Sequence, residues 1–569
     1  MALSPPPSPG RAERLVLAFL ALACLVATAW RLPYGVDLGD EALNVAIPYR
    51  FALGDRPYVD EINPTQSAAL FSYPFVKLYV EARGGTEGLV LFLRAVWLVL
   101  TVGLAFAIFA SLRARFGVAQ ALLAGLLAVV WLPLGSATLS YNTFASGLYV
   151  LGVFLGVRPF LDGSKDRWFA FAGISHGAAA VAIQSYALSG AAFVLMVVLA
   201  LVPRLKRARA AGLYLLGALV VPALLSPLLL QITSRTIEFA RNHLVQRHAS
   251  LAERAGVLAG TVVDHLPRPG WMAAAAVLFL AACRWRLGWA ALAALASMPL
   301  LGWQMLAHQS SLLHVTWTCL FCPVLFWPLR RDAAARVLFF GVWAPSACAA
   351  IAAAVTSSNG VVAAGMGFFP GVIATALLAA RNVRDIATWS PSCRGATWLA
   401  AAWPALLIAT MVVDQRHPKN DDPIGELSAR IEDGPFAGLV TTPEKRAWIE
   451  NLGRDLQTIA RPGARVSFVT ICPAGYLMST MRPASRSLWP VHCWPEQDWD
   501  CVDTLGEDLE HYGANGVVVV RVQGLFHGRQ RYVRQPPGKI GPFLDRHLER
   551  VLERLDWTIF ASRGAFALQ

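Results

Sequence analysis

Charge is scarce in this chain. Of 569 residues, only 15% are Asp, Glu, Lys or Arg, against 56% hydrophobic. Four stretches contain no charged residue of these kinds: 116–157, 168–203, 287–329 and 337–380, of 42, 36, 43 and 44 residues. A soluble domain cannot solvate such a surface, so the class is a polytopic α-helical membrane protein. Other features are missing as well. No GxGxxG or Walker sequence is present to cradle a nucleotide. No repeat of about 20–50 residues suggests a solenoid, and no obvious likeness between the two halves suggests a repeat-built transporter. The uncharged runs also lack the intramembrane charges that mark ion and solute paths.

Each uncharged run is long enough for two passes of ~20 residues, so all four read as helical hairpins with short turns. Single passes fit 15–30, 95–112, 210–234 and 395–413, with a shorter one at 269–283. That makes about 13 spans. The loops this count puts on one side (1–14, 113–115, 158–167, 204–209, 284–286, 330–336 and 381–394) hold 19 Lys/Arg against 5 Asp/Glu. Residues 31–87, on the other side, hold 5 basic and 8 acidic residues. Lys and Arg concentrate in cytoplasmic loops. The N-terminus is therefore expected in the cytoplasm, and 31–87, 232–268 and 414–569 outside the cytoplasmic membrane. The net charge of +13 is then a topology signal rather than a sign of nucleic-acid binding. The first segment is expected to be an uncleaved anchor, although "ATAW" offers small residues of the kind a signal peptidase accepts.

The chain divides into a transmembrane domain, 1–413, and an external domain, 414–569, whose 19 basic and 20 acidic residues suit a soluble unit. In the latter, Thr442 is placed as an N-cap with Pro443 at the first helical position. Trp448, Leu452, Leu456 and Ile459 follow at helical spacing. "RVSFVTI" (465–471) and "GVVVVRV" (516–522) read as buried strands, and "FLDRHLERVLERLDW" as an amphipathic helix through Leu544, Leu548, Val551, Leu552 and Leu555. Helix and strand in alternation predict a small α/β domain. Six of the nine cysteines lie in or beside spans, Cys319 and Cys322 among them as a CxxC read as two helix-face thiols. In the external domain, Cys493 and Cys501 are expected to form a disulfide, with Cys472 left as the free thiol.

Asp37, Asp40 and Glu41 fall within five residues, just past the first span. The following "ALNVAIPYRFALG" places Leu43, Ile47 and Phe51 on one face, Pro48 at a kink or break, and Gly54 at the end, which predicts a short interfacial helix. A second such element is expected at 65–82. One acid would suffice to cap a helix. Three acids, with Asp55, Asp60 and Glu61 following, exceed that need, so cap and active site both stay open on the residues alone.

"GDEALNVAIPYRFALGDRPYVD", Gly39 to Asp60, resembles the GT-C membrane glycosyltransferases, a superfamily that includes protein O-mannosyltransferases and bacterial aminoarabinose transferases. The shared pattern is a DE pair after the first span, an interfacial helix and G-x-x-P-Y. "LSYNTFASGLYVLG" (139–152) and "GISHGAAAVAIQSYALSG" (173–190) are similar to intramembrane stretches of bacterial members. The resemblance implies a sugar donor linked to polyprenyl phosphate and a glycan, lipid or protein acceptor whose hydroxyl attacks outside the membrane. Phosphate is a good leaving group, so the chemistry needs a base more than an acid. By motif position Asp40 is that base and Glu41 orients the site or holds an acceptor group. Asp37 and Asp60 are candidate substrate-binding acids without a clear counterpart.

The donor's phosphate needs cations. Arg235, Arg241 and Arg247 in the second outer loop, 232–268, are the candidates, since Arg matches phosphate geometry. The same loop also reads as a solvated helix or a lipid-headgroup contact. No His lies near the acids in sequence, so no metal is assigned, and a divalent ion there stays open. His308, His314 and the "SYN" at 140–142 fall in outer turns, where either could line an acceptor groove, although turns satisfied by their own polar side chains account for them as well. The competing functions are a lipid-linked glycan polymerase or ligase, and a lipid or solute transporter.

Overall fold

The computed structural model describes residues 10–562 except 64, 233, 235, 238–252, 254, 255, 257–268, 307–320, 358, 359, 470, 471, 490–497, 513–516, 523–525, 528, 529 and 532–539. Arg235, Arg241, Arg247, His308, His314 and Cys493 lie outside the described residues, as does the side chain of Cys501.

Among the described residues, eight helices are long and apolar enough to cross a membrane: Arg11–Arg31 (α1), Leu89–Phe116, Val118–Gly135, Tyr141–Asp162, Arg204–Leu224, Ala333–Thr356, Val362–Trp389 and Pro391–Asp414. Four shorter apolar helices, Trp168–Ala182, Ser185–Ala200, Ala273–Arg284 and Gly288–Met298, add to them. The uncharged runs break at Pro133 and Gly135 in one case and at Ile183–Gln184 in the other. The run 116–157 becomes helix Val118–Val130, a turn and helix Tyr141–Asp162. The run 168–203 becomes Trp168–Ala182 and Ser185–Ala200.

Two further helices lie between the first span and the second: Asp40–Ala52 (α2) and Gln66–Arg83 (α3). Helix α2 ends as expected near Gly54, which adopts φ 97°. In two respects it differs from expectation. It runs unbroken through Pro48, and it is buried nearly all round instead of along one apolar stripe. Leu43, Ile47 and Phe51 are buried, but so are Ala42, Val45 and Ala46 on the other sides. The reason is a core shared with the C-terminal domain. Val36, Leu43, Ile47, Phe51, Leu93 and Trp97 join Leu452, Leu456, Val466, Phe468, Val520 and Ile559 in one apolar cluster. A helix packed against both domains is covered on more than its apolar stripe.

The C-terminal domain is built on a five-stranded sheet in the order Arg482–Pro483, Arg465–Phe468, Val517–Val522, Trp557–Ser562, Leu548–Glu553. The first three strands run parallel and the last two pair antiparallel. Helix Pro443–Ile459 starts as its sequence predicts, with Thr442 Oγ1 accepting from Lys445 N at 3.3 Å. The stretch 543–557 does not form one helix. The helix stops at His547, and Leu548–Glu553 becomes a strand against Trp557–Ser562. A register break between Arg550 and Leu552 reconciles the apolar spacing with a strand. It sends Leu548 to the side of Phe560 and Leu552 to the side of Ile559, so each sheet face receives one leucine. Cys472 is a free, buried thiol, pushed up to about 12 by burial.

Candidate active site at the domain junction

The segment after α1 is sewn to the C-terminal domain by backbone. Val440 N donates to Pro33 O at 2.7 Å and Gly35 N to Val440 O at 2.9 Å. The join requires glycine at position 35, where φ is 82° and a Cβ would stand 2.3 Å from Pro418 Cβ. A left-handed backbone costs non-glycine residues about 1–2 kcal/mol before any clash. Gly35→Ala should therefore lower the thermal midpoint in detergent by more than a surface substitution does, and reduce activity with it. An unchanged midpoint would mean that the 33–36 and 418 segments can yield at no cost.

The three clustered acids take three different roles. Asp37, 3% exposed, supplies the helix cap. Its Oδ1 accepts from Gly39 N at 2.9 Å and its Oδ2 from Glu41 N at 3.3 Å. Burial pushes its carboxyl above the usual range, Lys419 opposes this and Asp40 adds to it. Glu41 is a scaffold group. Its Oε1 and Oε2 accept from Arg94 at 2.8 and 2.5 Å, both side chains being 5% exposed. Arg94 also donates to Leu32 O, Tyr34 O and Gly35 O, and so clamps the start of the loop onto the second span. Both Glu41 oxygens are thereby held by Arg94.

Asp40 is the first residue of α2 and makes none of the capping bonds. Its Oδ2 accepts from Lys419 Nζ at 2.5 Å, and its side chain remains 38% exposed. Around it stand Asn44, whose Nδ2 donates to Asp40 O at 2.6 Å, and the start of helix Tyr141–Asp162, where Tyr141 N donates to Asn44 Oδ1 at 3.3 Å. Ser140 caps that helix through Thr143, so the "SYN" turn satisfies itself as expected. Asn44, Ser72, Ser140, Tyr141 and Phe144 help to line a small cavity of about 10 Å³, about the room one water needs.

Asp60 does not join this group. It pairs with Arg56 in the turn that follows α2, with Oδ2 accepting from Arg56 N at 2.7 Å. At about 1.5 Å per residue, the 13 residues of α2 separate the two ends by ~20 Å. Asp55 and Glu61, also at that far end, surround the fully buried Arg50 at 2.5 and 3.2 Å. Glu61 and Arg50 tie the loop to the C-terminal domain through Leu488 N and Ser485 O.

Two site residues escaped the sequence reading. Arg94 sits near the start of the span Leu89–Phe116, ahead of its long uncharged stretch, and could have been flagged as needing a partner. Lys419 lies in "RHPKNDDP", directly after the last span. No three His, Cys, Asp or Glu side chains among the described residues come together as a metal site.

No protein-family model matches the chain, and no curated protein matches it. Two solved structures resemble it over nearly their whole length. The first is ArnT from Cupriavidus metallidurans bound to undecaprenyl phosphate, at 13% identity over 99% of this chain and 100% of that one. The second is ArnT from Cupriavidus metallidurans in the apo state, at 14% identity over 98% of this chain and 100% of that one. The TM-score is 0.49 in both cases.

Proposed function

We propose that this protein is an integral-membrane glycosyltransferase of the GT-C kind. It moves a sugar from a polyprenyl-phosphate donor to an acceptor hydroxyl at the outer face of the cytoplasmic membrane, with Asp40 as general base. The observation that carries the reading is the position of Asp40: a half-exposed carboxylate at the junction of membrane helices and outer domain, relieved of capping by Asp37. An acid that neither caps nor is sealed away is available for chemistry. The resemblance of Gly39–Asp60 to the GT-C motif adds the reaction class.

In the proposed step the acceptor oxygen attacks the anomeric carbon while its proton passes to Asp40. The bond from that carbon to the phosphate oxygen breaks, and its electron pair leaves with polyprenyl phosphate. Direct displacement inverts the anomeric centre. Glu41, held by Arg94, fixes the helix end on which Asp40 sits. The decisive experiment incubates the purified protein in lipid vesicles with a radiolabelled polyprenyl-phosphate sugar and an extract of envelope acceptors. Label appearing in an acceptor, with loss of label from the lipid, is expected. Label that only crosses the membrane on intact donor would make the protein a transporter.

Orientation follows from charge. Residues 33–36 are hydrogen-bonded to 440, so the acid-rich loop and the C-terminal domain share one side. The basic loops predict that this side is outside. A reporter that is active only outside the cytoplasm, fused after residue 413, should be on. Activity of a cytoplasm-only reporter at the same point would reverse the topology.

A further inference from the structure

We propose that Lys419 is the residue that receives the donor's phosphate, and that its ion pair with Asp40 is a lock which the incoming phosphate opens. This rests on the glycosyl-transfer reading above and adds the group that both holds the donor and releases the base.

The commitments of the neighbouring cations single out Lys419. Arg94 spends its donors on Glu41 and on the carbonyls of Leu32, Tyr34 and Gly35. Lys445 is 1% exposed and bound to Asp421, Val36 O and Asn420 O. Arg31 donates to Gln415 O and Tyr34 O. Each is enclosed, at 5% exposure or less. Lys419 keeps 22% of its side chain exposed, and among the described residues its one hydrogen bond is to Asp40. An ammonium has three donors on a flexible stem, so one hydrogen can hold Asp40 while the others remain open to a ligand.

The backbone that carries Lys419 is stiff, which confines any movement to the side chain. Asn420 adopts φ 56°, and Leu134, in the adjoining turn, φ 52°. A Cβ built on the next residue, Gly135, would touch Lys419 Cβ at 3.5 Å. Asp421 accepts from Val36 N at 2.7 Å and from Thr441 Oγ1 at 2.8 Å, besides its bond to Lys445. Non-glycine residues in left-handed backbone persist only where their surroundings hold them, and they gather at functional sites.

The charge movement of the reaction suits this placement. Before transfer, Asp40 and the donor phosphodiester each carry one negative charge and compete for the ammonium. As the glycosidic bond breaks, the carboxylate is neutralised by the acceptor's proton and the phosphate gains a second negative charge. A cation between the two follows the charge from base to leaving group. While Lys419 stays on Asp40, an acceptor hydroxyl must compete with the ammonium for Oδ2. A phosphate that draws Lys419 toward itself removes that competitor in the same event, so donor binding favours the base. Burial alone would lower the proton affinity of Lys419, but Asp40 and Asp37 outweigh it and hold the ammonium charged.

The test uses the full chain in detergent and farnesyl phosphate as the probe, with farnesol and inorganic phosphate as controls and native mass spectrometry as the readout. Lys419→Met should weaken farnesyl phosphate roughly 10- to 100-fold, the range for losing a charged hydrogen-bond partner. Lys419→Arg should recover part of the loss. Asp40→Asn should tighten binding roughly tenfold, because it removes the competitor. The double variant Asp40→Asn/Lys419→Met should bind no better than Lys419→Met alone, since the gain depends on the ammonium. Farnesol should bind equally weakly to all. Inorganic phosphate should follow the same order at lower affinity if the headgroup is what is read. Lys419→Met binding like the wild type would overturn the inference while leaving glycosyl transfer intact. Asp40→Asn binding no tighter than wild type would overturn the lock. A wild-type protein blind to farnesyl phosphate would sink both this inference and the donor class proposed above.

Discussion

Asp40→Asn is expected to lose roughly 100-fold or more of turnover, the range for removing a general base, in a protein that remains folded. The division of labour among the three acids makes the expectation sharp. The capping bonds belong to Asp37, so an amide at position 40 leaves the helix start intact. What α2 forfeits is one carboxylate near the positive end of the helix dipole, worth ~0.3–1 kcal/mol. Asn retains the shape and can still accept from Lys419, but it takes no proton. Steady-state kinetics with labelled donor, alongside the thermal midpoint, separate the effects. The turnover number should collapse while the midpoint shifts little. Asp37→Ala should do the reverse in part, lowering the midpoint through loss of a cap worth about 1 kcal/mol. Near-normal transfer by Asp40→Asn would remove Asp40 from the chemistry altogether.

Arg94→Met should be the most destabilising single substitution at the junction, by about 3–5 kcal/mol, the cost of stranding one partner of a buried ion pair. The variant leaves the Glu41 carboxylate charged and enclosed, and strips three loop carbonyls of a donor. Glu41→Leu should be comparably harmful, because it strands Arg94. Removing both together, Glu41→Leu/Arg94→Met, should recover a good part of the loss, since no unpaired charge remains. The same set decides what Glu41 does. A double variant that regains both stability and transfer activity makes Glu41 a support for the helix that carries Asp40. Recovery of the thermal midpoint without recovery of activity would instead place Glu41 in contact with substrate.

Much of the architecture could be read from local pattern. Uncharged runs placed the hairpins because hydropathy depends only on composition over a span's length, and Trp168–Ala182 with Ser185–Ala200 fill the run 168–203. Thr442 and Pro443 started their helix, and Gly54 closed α2, because caps and positive φ are decided by a residue and its near neighbours. Tertiary structure settled the rest. The stretch 548–553 has helical spacing yet forms a strand, because Trp557–Ser562 offers it a ladder that spacing alone cannot reveal. The apolar stripe of α2 predicted a one-sided amphipathic helix, and only the packing of the C-terminal domain against it made it buried nearly all round. The acids show the limit most clearly. Asp37, Asp40 and Glu41 look alike in the sequence. Their roles diverge because Arg94 reaches Glu41 from 53 residues away, Lys419 reaches Asp40 from 379 away, and Asp37 meets its own helix. Sequence determined that charge would stand just after the first span. Which carboxylate is neutralised, which caps and which stays open is a matter of partners, and those are brought together only when the chain's distant ends meet.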